Sequence, residues 1–264
     1  MTSTPAAIRS ILFDLGSTLW EHAELATIQR EESAADARAG ATLRELQAAQ
    51  MDAQDEPDKQ EDRTRGHELR QRWFRAVMSA YAAEPLLEPG FPSLARDVMR
   101  SMGHTQADER WGALVYEAMR VRSLHARVLF PDVLETLEIL RERGYTLGVV
   151  TNRAYGGPVF LDDLRQMGLL RFFGPHTIAI SADLGYRKPH PTIFHYALVG
   201  LGRAPHETAM VGDKLHADVQ GARQLGMYSI WRPDAHEADM PVGITPNAVI
   251  RQTDDLLTLF PQRS

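Results

Sequence analysis

The sequence predicts an α/β fold: a doubly wound parallel sheet carrying an inserted all-helical module. Three observations lead there. A short apolar run, Ile11, Leu12 and Phe13, stops abruptly at Asp14 and is followed by the turn residues Gly16, Ser17 and Thr18. Long amphipathic stretches then continue to about residue 127. From Phe130 onward short apolar runs alternate with helical patterns, as parallel βαβ units covered by helices on both faces require.

The opening run reads as a buried strand whose last polar residue, Asp14, lies at its carboxyl end. Ligands of open α/β sheets bind outside the carboxyl ends of the strands, and a carboxylate buried there needs a cation or hydrogen-bond donors. Residues 21–50 are rich in Ala, Glu, Arg and Leu, good helix formers with a thin apolar face. The polar stretch DAQDEPDKQEDR, residues 52–63, is interrupted by Pro57 and reads as a solvated loop between helices. Leu69, Trp73 and Val77 then repeat at four-residue spacing, with Phe74, Met78 and Tyr81 alongside. Trp111, Leu114, Val115, Ala118 and Met119 mark another helix, and Thr105 with Asp108 predicts a capping box ahead of it. Trp73 and Trp111 are expected in the core of the helical module or on its face over the site.

The second half returns to the sheet. Pro131 and Asp132 open a helix through Leu134, Leu137 and Leu140 that stops at Gly144, before a strand at 146–150. Further strands are expected near 177–180, 208–211, 227–231 and 248–250, and helices near 161–167, 191–199, 216–225 and 254–260. The opening strand has no helix of its own before the helical region. The simplest organisation is a core of residues 1–19 and 129–264, interrupted by a helical cap of residues 20–128.

Composition narrows the function classes. The 264 residues include no cysteine, which excludes disulfides, thiolate metal sites and a cysteine nucleophile. A formal net charge of -6 argues against general nucleic-acid binding, which relies on basic surface. No stretch reaches membrane-spanning length and the first residues lack a signal-like pattern, so a cytoplasmic protein without a membrane partner is expected. The sequence does not define an oligomeric state.

Three later segments carry polar residues suited to the same edge as Asp14. The strand at 146–150 runs into Thr151 and Asn152; the strand ending at Val211 runs into Gly212 and Asp213, with Asp218 five residues on; Lys188 lies ahead of a helix. Carboxylates with oxygen-only partners make a hard-cation site, which suits Mg²⁺ better than zinc. A lysine, a hydroxyl and helix amino termini facing that cation suit a phosphate dianion. Only two other lysines exist, Lys59 and Lys214. His190, His195, His206 and His216 show no metal-ligand rhythm and read as capping or surface residues.

The segments FDLGSTL (13–19), VVTNR (149–153), GYRKPHPTIF (185–194) and VGDKLHADVQGA (211–222) together resemble the haloacid dehalogenase (HAD) superfamily of hydrolases. Members with a helical, C1-type cap inserted after the first strand of a Rossmann-like core are the most similar. The resemblance implies that Asp14 is the nucleophile of a phosphatase acting on a small phosphorylated molecule through an aspartyl-phosphate. It also implies that Thr151, Asn152 and Lys188 bind the phosphoryl group. Mg²⁺ would be held by Asp14, Asp213 and the carbonyl of Gly16, with Asp218 binding it or orienting its waters.

One position departs from the pattern. Phosphatases of this superfamily usually carry a second aspartate two residues after the nucleophile, as general acid and base, and this chain has Gly16. General acid–base catalysis is worth about 10²- to 10⁴-fold. Glu21 and His22 are nearby candidates to replace it. The alternatives are a dehalogenase-like hydrolase, or a non-catalytic homologue binding Mg²⁺ and a phosphorylated ligand. Phosphonate cleavage ranks low, because the only lysine in the cap, Lys59, lies in a polar stretch.

Overall fold

The computed structural model describes residues 7–51, 58–234 and 243–262. The chain forms two compact units, one of Met1–Glu21 with Arg127–Ser264 and one of His22–Ala126. Eight strands occur among the described residues: β1 (Ser10–Phe13), β2 (Trp20–His22), β3 (Arg127–Leu129), β4 (Thr146–Thr151), β5 (Phe173–Ile180), β6 (Thr208–Gly212), β7 (Tyr228–Trp231) and β8 (Ala248–Val249). Six of them form one sheet in the order β5-β4-β1-β6-β7-β8, with every neighbouring pair parallel. The short strands β2 and β3 pair where the chain leaves and re-enters the first unit.

Strand β1 has all four residues buried, the pattern of a parallel strand covered on both faces. Its side chains alternate between two cores. Ile11 and Phe13 pack with Val149, Val211 and Phe160 on one face, while Leu12 packs with Val150, Met210, Ile193 and Phe194 on the other. Phe13 is in register with Val149 of β4 and with Val211 of β6. That register brings Asp14, one residue on, and Thr151 and Asp213, two residues on, to one edge of the sheet.

The core elements differ from the sequence expectation mainly at their ends. β5 starts at Phe173, ahead of the expected 177, and its register against β4 shifts between Leu147 and Val149. The Gly-Pro-His segment at 174–176 hides this extension, because those residues carry no strand signal. The helix expected near 161–167 runs from Gly157 to Gln166 with Pro158 in its first turn, where no N–H is needed. The helix expected at 216–225 is a π-helical turn, Leu215–Gln220, continued by Gly221–Gln224. The last helix divides into a 3₁₀ turn, Thr253–Asp255, and Leu256–Leu259.

The helical unit contains α1 (Leu25–Met51), α2 (Lys59–Ala83), α3 (Phe91–Ser101) and α4 (Glu109–Ala118). Two local expectations are corrected here. Residues 59–63 are the first turn of α2, not loop, because Asp58 caps it by accepting Gln60 N–H at 2.8 Å and Glu61 N–H at 3.1 Å; residues 52–57 lie outside the described residues. The cap of α4 is Asp108 itself, accepting Trp111 N–H at 2.9 Å, so the helix begins three residues later than a Thr105 cap would place it. Helix α3 has no counterpart in the sequence reading, since Pro92 interrupts the pattern while fitting the helix's first turn.

Trp73 lies in the core of this unit, with ring centroids 5.8 Å from Phe91 and 6.0 Å from Tyr116. Phe74 and Met78 are exposed. Helices α1 and α2 pack at backbone distance through two glycines. A Cβ on Gly40 would stand 1.7 Å from the Asp62 carbonyl oxygen, and one on Gly66 would stand 1.8 Å from that of Asp36. The same two aspartates bear ion pairs across the contact, Arg70 to Asp36 at 2.6 Å and Arg44 to Asp62 at 3.1 Å. No helix among the described residues is long and apolar enough to cross a membrane.

Candidate active site

Asp14 leaves the sheet at the carboxyl end of β1, and its N–H still donates to Val211 O at 2.9 Å, so the ladder itself fixes the residue. The chain then turns tightly, with the N–H groups of Thr18, Leu19 and Trp20 converging on Leu15 O. Ser17 makes the turn possible with φ of 51°, the one positive φ outside glycine among the described residues. Gly16 is exposed in this turn, and a Cβ added to it would meet only Asp14 Oδ2, at 3.9 Å.

Lys188 is buried at the centre of the site. Its ammonium donates to Asp14 Oδ1 at 2.6 Å and to Val150 O at 2.7 Å, and lies 2.7 Å from Asp218 Oδ1 in an ion pair off the hydrogen-bond line. Two acceptors therefore take protons of the ammonium, and Asp218 adds a charge contact. Burial pulls its pKa down, but Asp14 and Asp218 outweigh that and the net direction is up, so the lysine is cationic.

Asn152 anchors this lysine. Its side-chain oxygen accepts Lys188 N–H at 2.8 Å and its side-chain amide donates to Lys188 O at 3.1 Å. The Asn152 side chain thus holds the Lys188 main chain. Thr151 is buried at the end of β4, beside the carbonyl of Val150 that receives Lys188. Ser181, which the sequence does not single out, ties down the loop beyond Asn152: its hydroxyl accepts Arg153 N–H at 2.8 Å and donates to Arg153 O at 3.2 Å.

Asp213 and Asp218 come from the turn after β6. Asp218 Oδ2 accepts Lys214 N–H at 2.9 Å, and the π-helical turn swings this carboxylate back beneath the end of β6. Gly212 makes the space, since a Cβ there would stand 2.3 Å from the Asp218 carboxylate. Lys214 pairs with Asp213 at 2.8 Å from the solvent side.

Asp14, Asp213 and Asp218 each place a carboxylate oxygen within 4.8 Å of the others, all three residues being buried. Lys188 is the one buried cation among the ion pairs they make. Burial, with Asp14 adding repulsion, raises Asp213, and burial pushes Asp218 up to about 7 against the pull of Lys188. An all-oxygen set carrying excess negative charge fits a hard divalent cation.

Glu21 is exposed and lines a cavity of about 290 Å³ with Ser17, Phe130, Arg232, Asp234 and Arg251. Arg232 escaped the sequence reading, although it ends a buried strand as Asp14 does. Its N–H donates to Gly212 O at 3.0 Å, its Nη1 donates to Ser17 O at 2.6 Å, and its guanidinium lies 4.1 Å from the centre of the Phe130 ring.

The parallel α/β sheet thus presents a carboxylate, a buried lysine and an acidic cluster at one edge. A family model of haloacid dehalogenase-like hydrolases matches residues 8–226, and the chain belongs to that family. Among curated relatives, it is 40% identical over 101 residues to a glyceraldehyde 3-phosphate phosphatase of Methanopyrus kandleri, covering 38% of this chain and 42% of the relative. It is 38% identical over 123 residues to a phosphoserine phosphatase of Thermus thermophilus, covering 44% and 47%. The matched stretches thus span under half of those two proteins. A solved 2-haloacid dehalogenase from Pseudomonas syringae superposes with a TM-score of 0.59 at 27% identity, covering 96% of this chain and 97% of the other.

Proposed function

We propose that this chain is a Mg²⁺-dependent phosphatase acting on a small phosphorylated molecule, with Asp14 as nucleophile. The observation that carries the reading is the buried cluster of Asp14, Asp213 and Asp218 around Lys188, whose excess negative charge calls for a divalent cation. Asp14, Asp213, Asp218 and the carbonyl of Gly16 are the groups to hold Mg²⁺. Bound there, the cation supplies neutralisation of phosphoryl charge. Asp14 attacks phosphorus, forming an oxygen–phosphorus bond while the bond to the leaving oxygen breaks, and water then hydrolyses the aspartyl-phosphate. Lys188 orients the Asp14 carboxylate and offsets charge on the transferring group, with Thr151 as a further phosphate contact. The leaving oxygen draws its proton from water or from the substrate, because Gly16 offers none.

A second reading follows from Gly16 and from the similarity to the dehalogenase. Displacement of halide from carbon by Asp14 needs no proton donor for the leaving group. The acidic cluster favours the phosphatase, since that displacement also has no need of a divalent cation.

The test is phosphate release from a panel of sugar, acyl, amino-acid and aryl phosphates, with and without Mg²⁺, alongside halide release from 2-haloacids. Mg²⁺-dependent phosphate release that disappears in Asp14→Asn is expected. Gly16→Asp, which has room for its side chain, is expected to raise turnover of poor leaving groups by up to about 10²-fold. Halide release without phosphate release, from wild type and Gly16→Asp alike, would replace this reading with the second one.

A further inference from the structure

The residues after β7 touch both loops that carry the acidic cluster. Trp231 Nε1–H donates to Asp213 O at 2.9 Å, and Arg232 N–H donates to Gly212 O at 3.0 Å. Two residues of the same segment hold Ser17: Arg232 Nη1 donates to its carbonyl at 2.6 Å, and Asp234 Oδ2 accepts from its hydroxyl at 3.2 Å. Arg232 is 8% exposed, its Nε has no hydrogen-bond partner, and no carboxylate among the described residues lies within ion-pair distance of it. Asp132, Asp213, Asp234 and Glu21 attract this guanidinium at longer range, and Ser17 O takes its Nη1 proton.

We infer that the segment from Trp231 to Asp234 is a brace, and that Arg232 is a positioning residue setting the direction of the Gly16 carbonyl relative to Asp213. The inference rests on the Mg²⁺ site proposed above. The geometric reason lies in one torsion. Arg232 fixes the peptide after Ser17 and Asp234 fixes the Ser17 side chain, so two of the substituents on its Cα are held. The position of the Ser17 nitrogen is thereby set, and the Gly16–Ser17 peptide, with the Gly16 carbonyl, is limited to rotation about the single torsion φ. That φ is 51°, a value serine seldom adopts unaided. The same segment holds Gly212 and Asp213 from the other side, so the two loops are registered to one another through four hydrogen bonds.

The test measures Mg²⁺ binding by titration calorimetry on the full chain, and amide hydrogen exchange of residues 15–19 without metal. Outer partners of metal ligands are typically worth about 10- to 100-fold in affinity. Arg232→Met keeps the aliphatic stem and removes the guanidinium with its donors and its place over Phe130; it is expected to weaken Mg²⁺ by about 10-fold or more, at the low end of that range. It is also expected to speed exchange at 15–19 and to raise the Mg²⁺ concentration for half-activation more than it lowers kcat at saturating Mg²⁺. Ser17→Ala removes only the Asp234 contact and is expected to act in the same direction, more weakly.

Wild-type binding with an unchanged dissociation constant in folded Arg232→Met would overturn the inference and leave the proposed function intact. Absence of Mg²⁺ binding by the wild type would overturn both. If Arg232→Met fails to fold, Ser17→Ala decides: the brace is overturned if its dissociation constant and its exchange at 15–19 match the wild type.

Discussion

Lys188 and Asp218 show how the site's charges are balanced without metal. The carboxyl of Asp218 is raised by burial from 3.8 to about 7, so the folded state holds its proton more tightly than the unfolded chain does. The sign follows from linkage: this group favours folding most at low pH, and that contribution is lost as pH rises between the two values. Metal binding requires the ionised form, so the opposite trend is expected for Mg²⁺. The increase in Tm on adding Mg²⁺ should be large at about pH 8 and shrink toward about pH 5.5, as proton and cation compete. An increase independent of pH would show that Asp218 takes no part. The sequence displays Asp14, Thr151, Lys188, Asp213 and Asp218, because each follows an apolar run, precedes a helix or lies in a helix's first turn. It does not display the carbonyl of Val150, which every residue possesses, nor the use of Asn152 as an anchor for Lys188.

The contact between α1 and α2 sets helix propensity against packing. Gly40 lies inside a helix of 27 residues, where alanine is worth about 1 kcal/mol more than glycine. A Cβ there would nonetheless stand 1.7 Å from the Asp62 carbonyl oxygen, which only a separation of the helices relieves. Overpacking typically costs about 1–3 kcal/mol, so packing outweighs propensity. Gly40→Ala is expected to lower Tm, as measured by thermal unfolding; a rise in Tm would show that the helices separate at little cost. The thin apolar face read along residues 21–50 has its explanation here: Ala35, Ala39 and Leu43 are fully buried, and small residues bring the helices together in place of large ones. Element type was legible wherever a period repeated. Ends were not, because caps such as Asp58 and Asp108, or a shift in register as in β5, depend on single contacts.

Every residue assigned to the site, and the brace with it, belongs to the unit of Met1–Glu21 and Arg127–Ser264. Binding stabilises whatever folded structure holds the ligand, by about 2.7 kcal/mol when the ligand is at 100 times its dissociation constant. Mg²⁺ is therefore expected to slow amide exchange in β1, β4 and β6 and to leave α1 through α4 nearly unchanged. Equal protection of both units, measured by mass spectrometry of exchanged peptides, would show that they unfold as one. The motifs bracket the helical region in the sequence, while specificity, which depends on surfaces without motifs, was not legible.

The place of β1 in the sheet also bears on synthesis. Its partners on either side, β4 and β6, begin at Thr146 and Thr208, far along a chain that leaves the ribosome from its amino end. Until then a strand that is buried along its whole length in the folded protein has both edges unpaired and neither face covered. The nascent chain must carry Ile11, Leu12 and Phe13 exposed until Thr146 and the residues after it have been made, and in this interval the strand needs protection from aggregation.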